Sequence, residues 1–122
     1  MAGIMIVEDE KDVREMLRDA LIKRKYSVIE AVNGKEAIAK FKASFIDVVI
    51  TDILMPEEDG LKVIIKLKEL KPELKIIAIS GGGKYGPVDY LNMARTLGAD
   101  EILTKPFSLR ELERTIEELL SS

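Results

Sequence analysis

Apolar and polar positions alternate along this chain in two rhythms. Five apolar runs have the length of a strand: Gly3 to Val7, Ser27 to Ala31, Asp47 to Thr51, Lys75 to Ile79 and Glu101 to Thr104. Between them apolar residues recur at helical spacing, as in Val13, Met16, Leu17, Ala20 and Leu21, and again in Val63, Ile64, Leu67 and Leu70. That spacing predicts amphipathic helices. Terminal signals agree with it. Asn33 with Glu36 and Ser108 with Glu111 fit capping boxes, Pro87 suits a first helical turn, and Gly98 follows the last periodic residue of its segment. The pattern predicts five strands alternating with five helices. Asp-Val-Val-Ile and Ile-Ile-Ala-Ile are apolar on both faces, as a parallel sheet covered by helices on both sides requires. The expected fold is therefore a doubly wound α/β sheet.

Composition narrows the function. The chain has 122 residues, enough for one continuous core, and no linker, repeat or low-complexity tract interrupts it. It reads as a single domain over residues 1–122, with nothing left over for an output domain. The absence of Cys excludes disulfide and thiolate chemistry and fits a reducing, cytoplasmic setting. A formal charge of −3 with no long Lys/Arg stretch argues against direct nucleic-acid binding. No apolar run approaches the roughly 20 residues that cross a bilayer, so no membrane partner is expected.

In an open parallel sheet, ligands bind outside the carboxyl ends of the strands, where the strand-to-helix loops converge. The residues expected just past strands one, three, four and five are Glu8-Asp9, Asp52, Ser80 and Lys105. Taken singly, each has a bland reading: acids at a helix N-terminus, a serine opening a turn, a lysine in a solvated loop. Their shared edge outweighs those readings. Three carboxylates brought together raise one another's proton affinity unless a cation neutralises them. Oxygen ligands with no His or Cys favour a hard ion such as Mg²⁺. A carboxylate beside such an ion can attack phosphorus. In a flavodoxin-like strand order 2-1-3-4-5, Asp52 follows the central strand and is the best placed to do so. Lys105 and Ser80 can then contact the phosphoryl oxygens.

The same residues resemble the receiver domains of bacterial two-component response regulators over essentially the whole chain. The motifs are Ile-Met-Ile-Val-Glu-Asp-Glu (4 to 10), Asp-Val-Val-Ile-Thr-Asp-Ile-Leu-Met-Pro-Glu-Glu-Asp-Gly (47 to 60), Ile-Ala-Ile-Ser-Gly (77 to 81) and Leu-Gly-Ala-Asp-Glu-Ile-Leu-Thr-Lys-Pro-Phe (97 to 107). The resemblance implies that Asp52 is the phosphoacceptor, that Asp9 ligates Mg²⁺ directly, and that Glu8 acts mainly through water. It implies that Leu54 gives the metal its backbone carbonyl, that Ser80 moves toward the phosphoryl group while Lys105 contacts it, and that Pro106 follows a cis bond. The implied partners are a sensor histidine kinase or histidine phosphotransfer protein as donor, and a downstream protein reached through the face of the fourth helix, fifth strand and fifth helix. Homodimerisation through the fourth and fifth helices is compatible with the sequence.

Two positions depart from the family pattern. Where many members carry an aromatic switch residue three positions before the lysine, this chain has Ile102. The glycine-rich loop after the fourth strand carries Tyr85, the candidate replacement ring. A haloacid-dehalogenase-type phosphatase also uses an Asp nucleophile, Mg²⁺, a hydroxyl and a Lys, but needs a general acid where Leu54 stands, and it needs a cap. A flavin-binding module would meet negative charge from Glu8-Asp9-Glu10 where a cofactor phosphate should sit. A degenerate receiver serving only as an interaction module is the remaining alternative, and the intact set of Glu8, Asp9, Asp52, Ser80 and Lys105 argues against it.

Overall fold

The computed structural model describes residues 2–53, 60–81, 92 and 94–121. Five strands alternate with helices: β1 (Gly3–Val7), α1 (Lys11–Lys23), β2 (Ser27–Ala31), α2 (Gly34–Lys42), β3 (Val48–Asp52), α3 (Gly60–Leu70), β4 (Lys75–Gly81), β5 (Glu101–Lys105) and the last helix, α5 (Leu109–Ser121). Residues 92 and 94–97 are helical and belong to α4, between β4 and β5. The proposed helix-start role of Pro87 lies outside the described residues.

The strands form one sheet in the order β2-β1-β3-β4-β5, every pair parallel. Three strands end or begin elsewhere than the periodicity predicts. β3 begins at Val48 and includes Asp52, β4 runs on to Gly81, and β5 includes Lys105. The register explains the shift. Val48 pairs with Ile4 and Lys75, whereas Asp52 still pairs with Ile79, and Gly81 with Lys105. Asp47 instead closes the opposite edge: its Oδ2 accepts the Gly3 amide at 2.8 Å and its own amide donates to the Gly3 carbonyl at 2.7 Å.

Alternation along the strands divides the core in two. Ile4, Ile6, Val48, Ile50, Ile77, Ile79 and Leu103 pack under Leu17 and Leu21 of α1 and Leu112, Ile116 and Leu119 of α5. On the other face Met5, Val7, Val49, Ile76 and Ala78 meet α2 and α3 through Ala37, Phe41, Val63, Ile64 and Leu67, and α4 through Ala94. Each of these larger side chains contributes about 1.5–3 kcal/mol when fully buried. Two residues of the predicted apolar stripes do not reach the core. Met16 and Leu70 are exposed, at the margins of their helices.

Helix ends follow local chemistry. Asn33 caps α2, its Oδ1 accepting the Glu36 amide at 2.8 Å. The returning bond of the expected capping box goes one residue further out: Glu36 Oε1 accepts from the Val32 amide rather than from Asn33. Ser108 Oγ accepts the Glu111 amide at 3.0 Å at the start of α5. Gly98 has φ +128°, a conformation that side-chain-bearing residues rarely adopt. The Lys105–Pro106 bond is cis, as the resemblance implied.

Candidate functional site

Because Asp52 terminates the central strand, groups on β1 and β5 can approach it from either side. Glu8 directly follows β1 and Lys105 ends β5. By the pleat, Glu8 and Lys105 continue the series Ile4-Ile6 and Leu103, and Asp52 continues Val48-Ile50, so all three rise from the sheet face that carries α1 and α5. Carboxylate oxygens of Glu8, Asp9 and Asp52 lie within 4.8 Å of one another. Lys105 Nζ stands between two of these acids, 3.2 Å from Asp52 Oδ2 and 3.4 Å from Glu8 Oε1.

Burial differs across the cluster and sets its electrostatics. Glu8 and Asp52 are buried, while Asp9 is exposed. Burial pushes the Glu8 carboxyl up to about 7. The Glu10 amide, donating to Glu8 Oε2 at 3.1 Å, opposes this, as does Lys105, whereas Asp52 and Asp9 reinforce it. Burial works against the Lys105 ammonium, but the charges of Asp52 and Glu8 outweigh it and raise its pKa. One ammonium thus faces three crowded acids, two of them buried. The donor set fits a hard divalent ion: carboxylate oxygens only, in a chain without His or Cys, with one acid open to solvent.

Ser80 is fully buried within β4, not just past it. It pairs with Thr104 and lies one residue beyond Ile79, the partner of Asp52. Alternation therefore puts Ser80 on the same sheet face as Ala78 and Ile102, opposite the Asp52 face. Ile102 is half-buried against that α2–α4 core. The structure thus unites Glu8, Asp9, Asp52 and Lys105, and places Ser80 and Ile102 together beneath the same edge. Leu54 and Tyr85 lie outside the described residues.

Sequence reasoning did not single out Arg14 and Glu30. Arg14 Nη1 donates to the Glu8 carbonyl at 3.0 Å, and its Nε pairs with Glu30 Oε1 at 3.3 Å. The available signal was Glu30 itself, the one charged residue of β2.

The profile of the response regulator receiver domain matches residues 4–117. The chain is 36% identical over 121 residues to response regulator SaeR of Staphylococcus epidermidis, covering 99% of this chain and 51% of that protein. It is likewise 36% identical over 121 residues to response regulator receiver protein CpdR of Brucella abortus, covering 98% of each. It spans about half the length, or less, of several other curated relatives it matches. A solved response regulator receiver domain protein from Clostridium thermocellum superposes with a TM-score of 0.91 at 28% identity, covering 99% of this chain and 95% of that one. Among the described residues no helix is long and apolar enough to cross a membrane. A parallel 2-1-3-4-5 sheet, an acidic cluster with a lysine at its carboxyl edge, and a family match over most of the sequence lead to one conclusion: this chain belongs to the receiver domains of two-component response regulators.

Proposed function

We propose that this domain accepts a phosphoryl group on Asp52 and changes conformation in response. The observation that carries the reading is the placement of Asp52: it ends the central strand, gathers with Glu8 and Asp9 within 4.8 Å, and meets Lys105 Nζ at 3.2 Å. Glu8, Asp9 and Asp52 are the residues that would hold Mg²⁺, with the Leu54 carbonyl as a further ligand that the family resemblance suggests. When bound, the ion neutralises the acidic cluster and supplies positive charge for the transferring phosphoryl oxygens.

The chain's own residues do the rest. Asp52 attacks phosphorus in line, an Asp52 O–P bond forms, and the bond from phosphorus to the donor breaks with its electrons leaving on the donor. The donor is a phosphohistidine of a sensor kinase or phosphotransfer protein, or a small acyl phosphate. Lys105, already beside the Asp52 carboxylate, exchanges that contact for a phosphoryl oxygen and stabilises its charge. Ser80 lies under the same edge on the opposite pleat, so reaching the new group requires movement at the end of β4. Ile102 packs on that face and gives the movement an apolar neighbour in β5. Such a displacement biases the α4, β5 and α5 surface that a downstream protein reads.

Labelling with radioactive acetyl phosphate tests the reading. Mg²⁺-dependent label that hydroxylamine removes marks an acyl phosphate and supports it. Label that resists hydroxylamine, or none at all, rejects it.

A further inference from the structure

Glu8 is held through each of its backbone and side-chain groups, and the side chain that holds its carbonyl comes from outside the proposed phosphoryl site. Its amide donates to the Ala31 carbonyl at 3.0 Å, and its carboxylate accepts from the Glu10 amide and from Lys105. Its carbonyl, which begins the Glu8–Asp9 peptide, accepts from Arg14 Nη1 at 3.0 Å. The orientation of that peptide sets the direction in which the exposed Asp9 leaves the chain. Arg14 is itself fixed: its side chain is only 14% exposed, and Glu30 on edge strand β2 pairs with its Nε at 3.3 Å. Glu30 is held in turn through its backbone carbonyl, which accepts from Lys40 Nζ at 2.6 Å.

We infer that Arg14, locked by Glu30, is a positioning residue that orients the Glu8–Asp9 peptide for cation binding. This rests on the proposed Mg²⁺ site. Electrostatics alone gives the opposite expectation, since deleting a cation near a dication site strengthens binding. A weakened site after loss of Arg14 therefore reports geometry. Arg18 provides the matching control, because it also ties α1 to Glu30 but does not touch Glu8.

The test is isothermal titration of the whole chain with Mg²⁺, supported by the Mg²⁺ dependence of phosphorylation from acetyl phosphate. Groups that orient metal ligands commonly change affinity about 10–100-fold when removed. Since Arg14 acts on a carbonyl and not on a ligand oxygen, Arg14→Met is expected at the lower end, about 10-fold weaker. Its maximal phosphorylation rate at saturating Mg²⁺ stays near that of the parent, and Arg18→Met binds Mg²⁺ as the parent does. An unchanged Mg²⁺ constant in Arg14→Met, or an equal loss in Arg18→Met, overturns the inference while leaving the proposed function intact. No Mg²⁺ binding by the parent overturns both. Should Arg14→Met fail to fold, Arg14→Lys keeps the charge but gives up the planar fork that reaches the Glu8 carbonyl and Glu30 together. A loss of the same sign then supports the inference, and an unchanged constant overturns it.

Discussion

Replacing Glu8 by Gln tests how the acidic cluster is charged without metal. In the folded chain the Glu8 carboxyl holds its proton up to about pH 7, against an ordinary value of 4.5, chiefly because it is buried and also because Asp52 and Asp9 oppose its ionisation. In the unfolded chain that proton leaves near the ordinary value. Between the two pH values the unfolded state therefore binds fewer protons, and stability falls as pH rises. The contribution of neutral Glu8 is fully present below about pH 4.5 and is lost as pH passes through 7. One proton gives a slope of at most about 1.4 kcal/mol per pH unit, so the whole window amounts to no more than about 3.5 kcal/mol. Gln has no proton to lose and can still accept the Glu10 amide. In chelator at pH 8, Glu8→Gln is expected to be roughly 1–3 kcal/mol more stable than the parent, with the two converging near pH 5. Urea unfolding followed by far-ultraviolet circular dichroism from pH 5 to 8 measures this. Parallel curves for the two proteins, or a variant less stable than the parent at pH 8, would refute the reasoning.

Other perturbations separate fold from site. Gly98→Ala puts a side chain at φ +128° and brings its Cβ to 2.9 Å from Lys68, whose ammonium is tied to the Leu74 carbonyl and Asp100. A loss of about 1–3 kcal/mol in urea unfolding is expected. Asp100→Ala removes the acceptor of the Ile76 amide, bonded at 2.8 Å, together with the Lys68 pair. It should cost about 1–3 kcal/mol while Mg²⁺ titration stays as in the parent. Lys105→Met takes the ammonium from Asp52 and Glu8, so phosphorylation from acetyl phosphate should slow about 100-fold with Mg²⁺ affinity undiminished. A rate within a few-fold of the parent would remove Lys105 from the mechanism.

Periodicity alone predicted the layers, since β3 and β4 carry apolar residues on both faces and α3 a stripe of Val63, Ile64 and Leu67. Strand ends were less legible. Asp52, Ser80 and Lys105 are polar, and a hydropathy pattern ends where polarity begins, but backbone pairing between parallel neighbours carries each of them into the ladder. That difference matters for Ser80, because strand membership fixes the sheet face it points to. The convergence of Glu8, Asp9, Asp52 and Lys105 followed from topology, as all four were expected at one edge. Arg14 and Glu30 were not legible for a different reason. Their partners lie in separate elements, and a partly buried arginine on an amphipathic helix has the same local sequence context as a solvated one.

The central claim is that Asp52 receives a phosphoryl group at a site assembled with Mg²⁺. Intact-protein mass spectrometry after incubation with acetyl phosphate, with and without Mg²⁺ and beside Asp52→Asn, tests it most directly. The account predicts addition of one phosphoryl group to the parent in Mg²⁺ alone and none to the variant. Equal modification of Asp52→Asn, or an unmodified parent in saturating Mg²⁺ and donor, would contradict it.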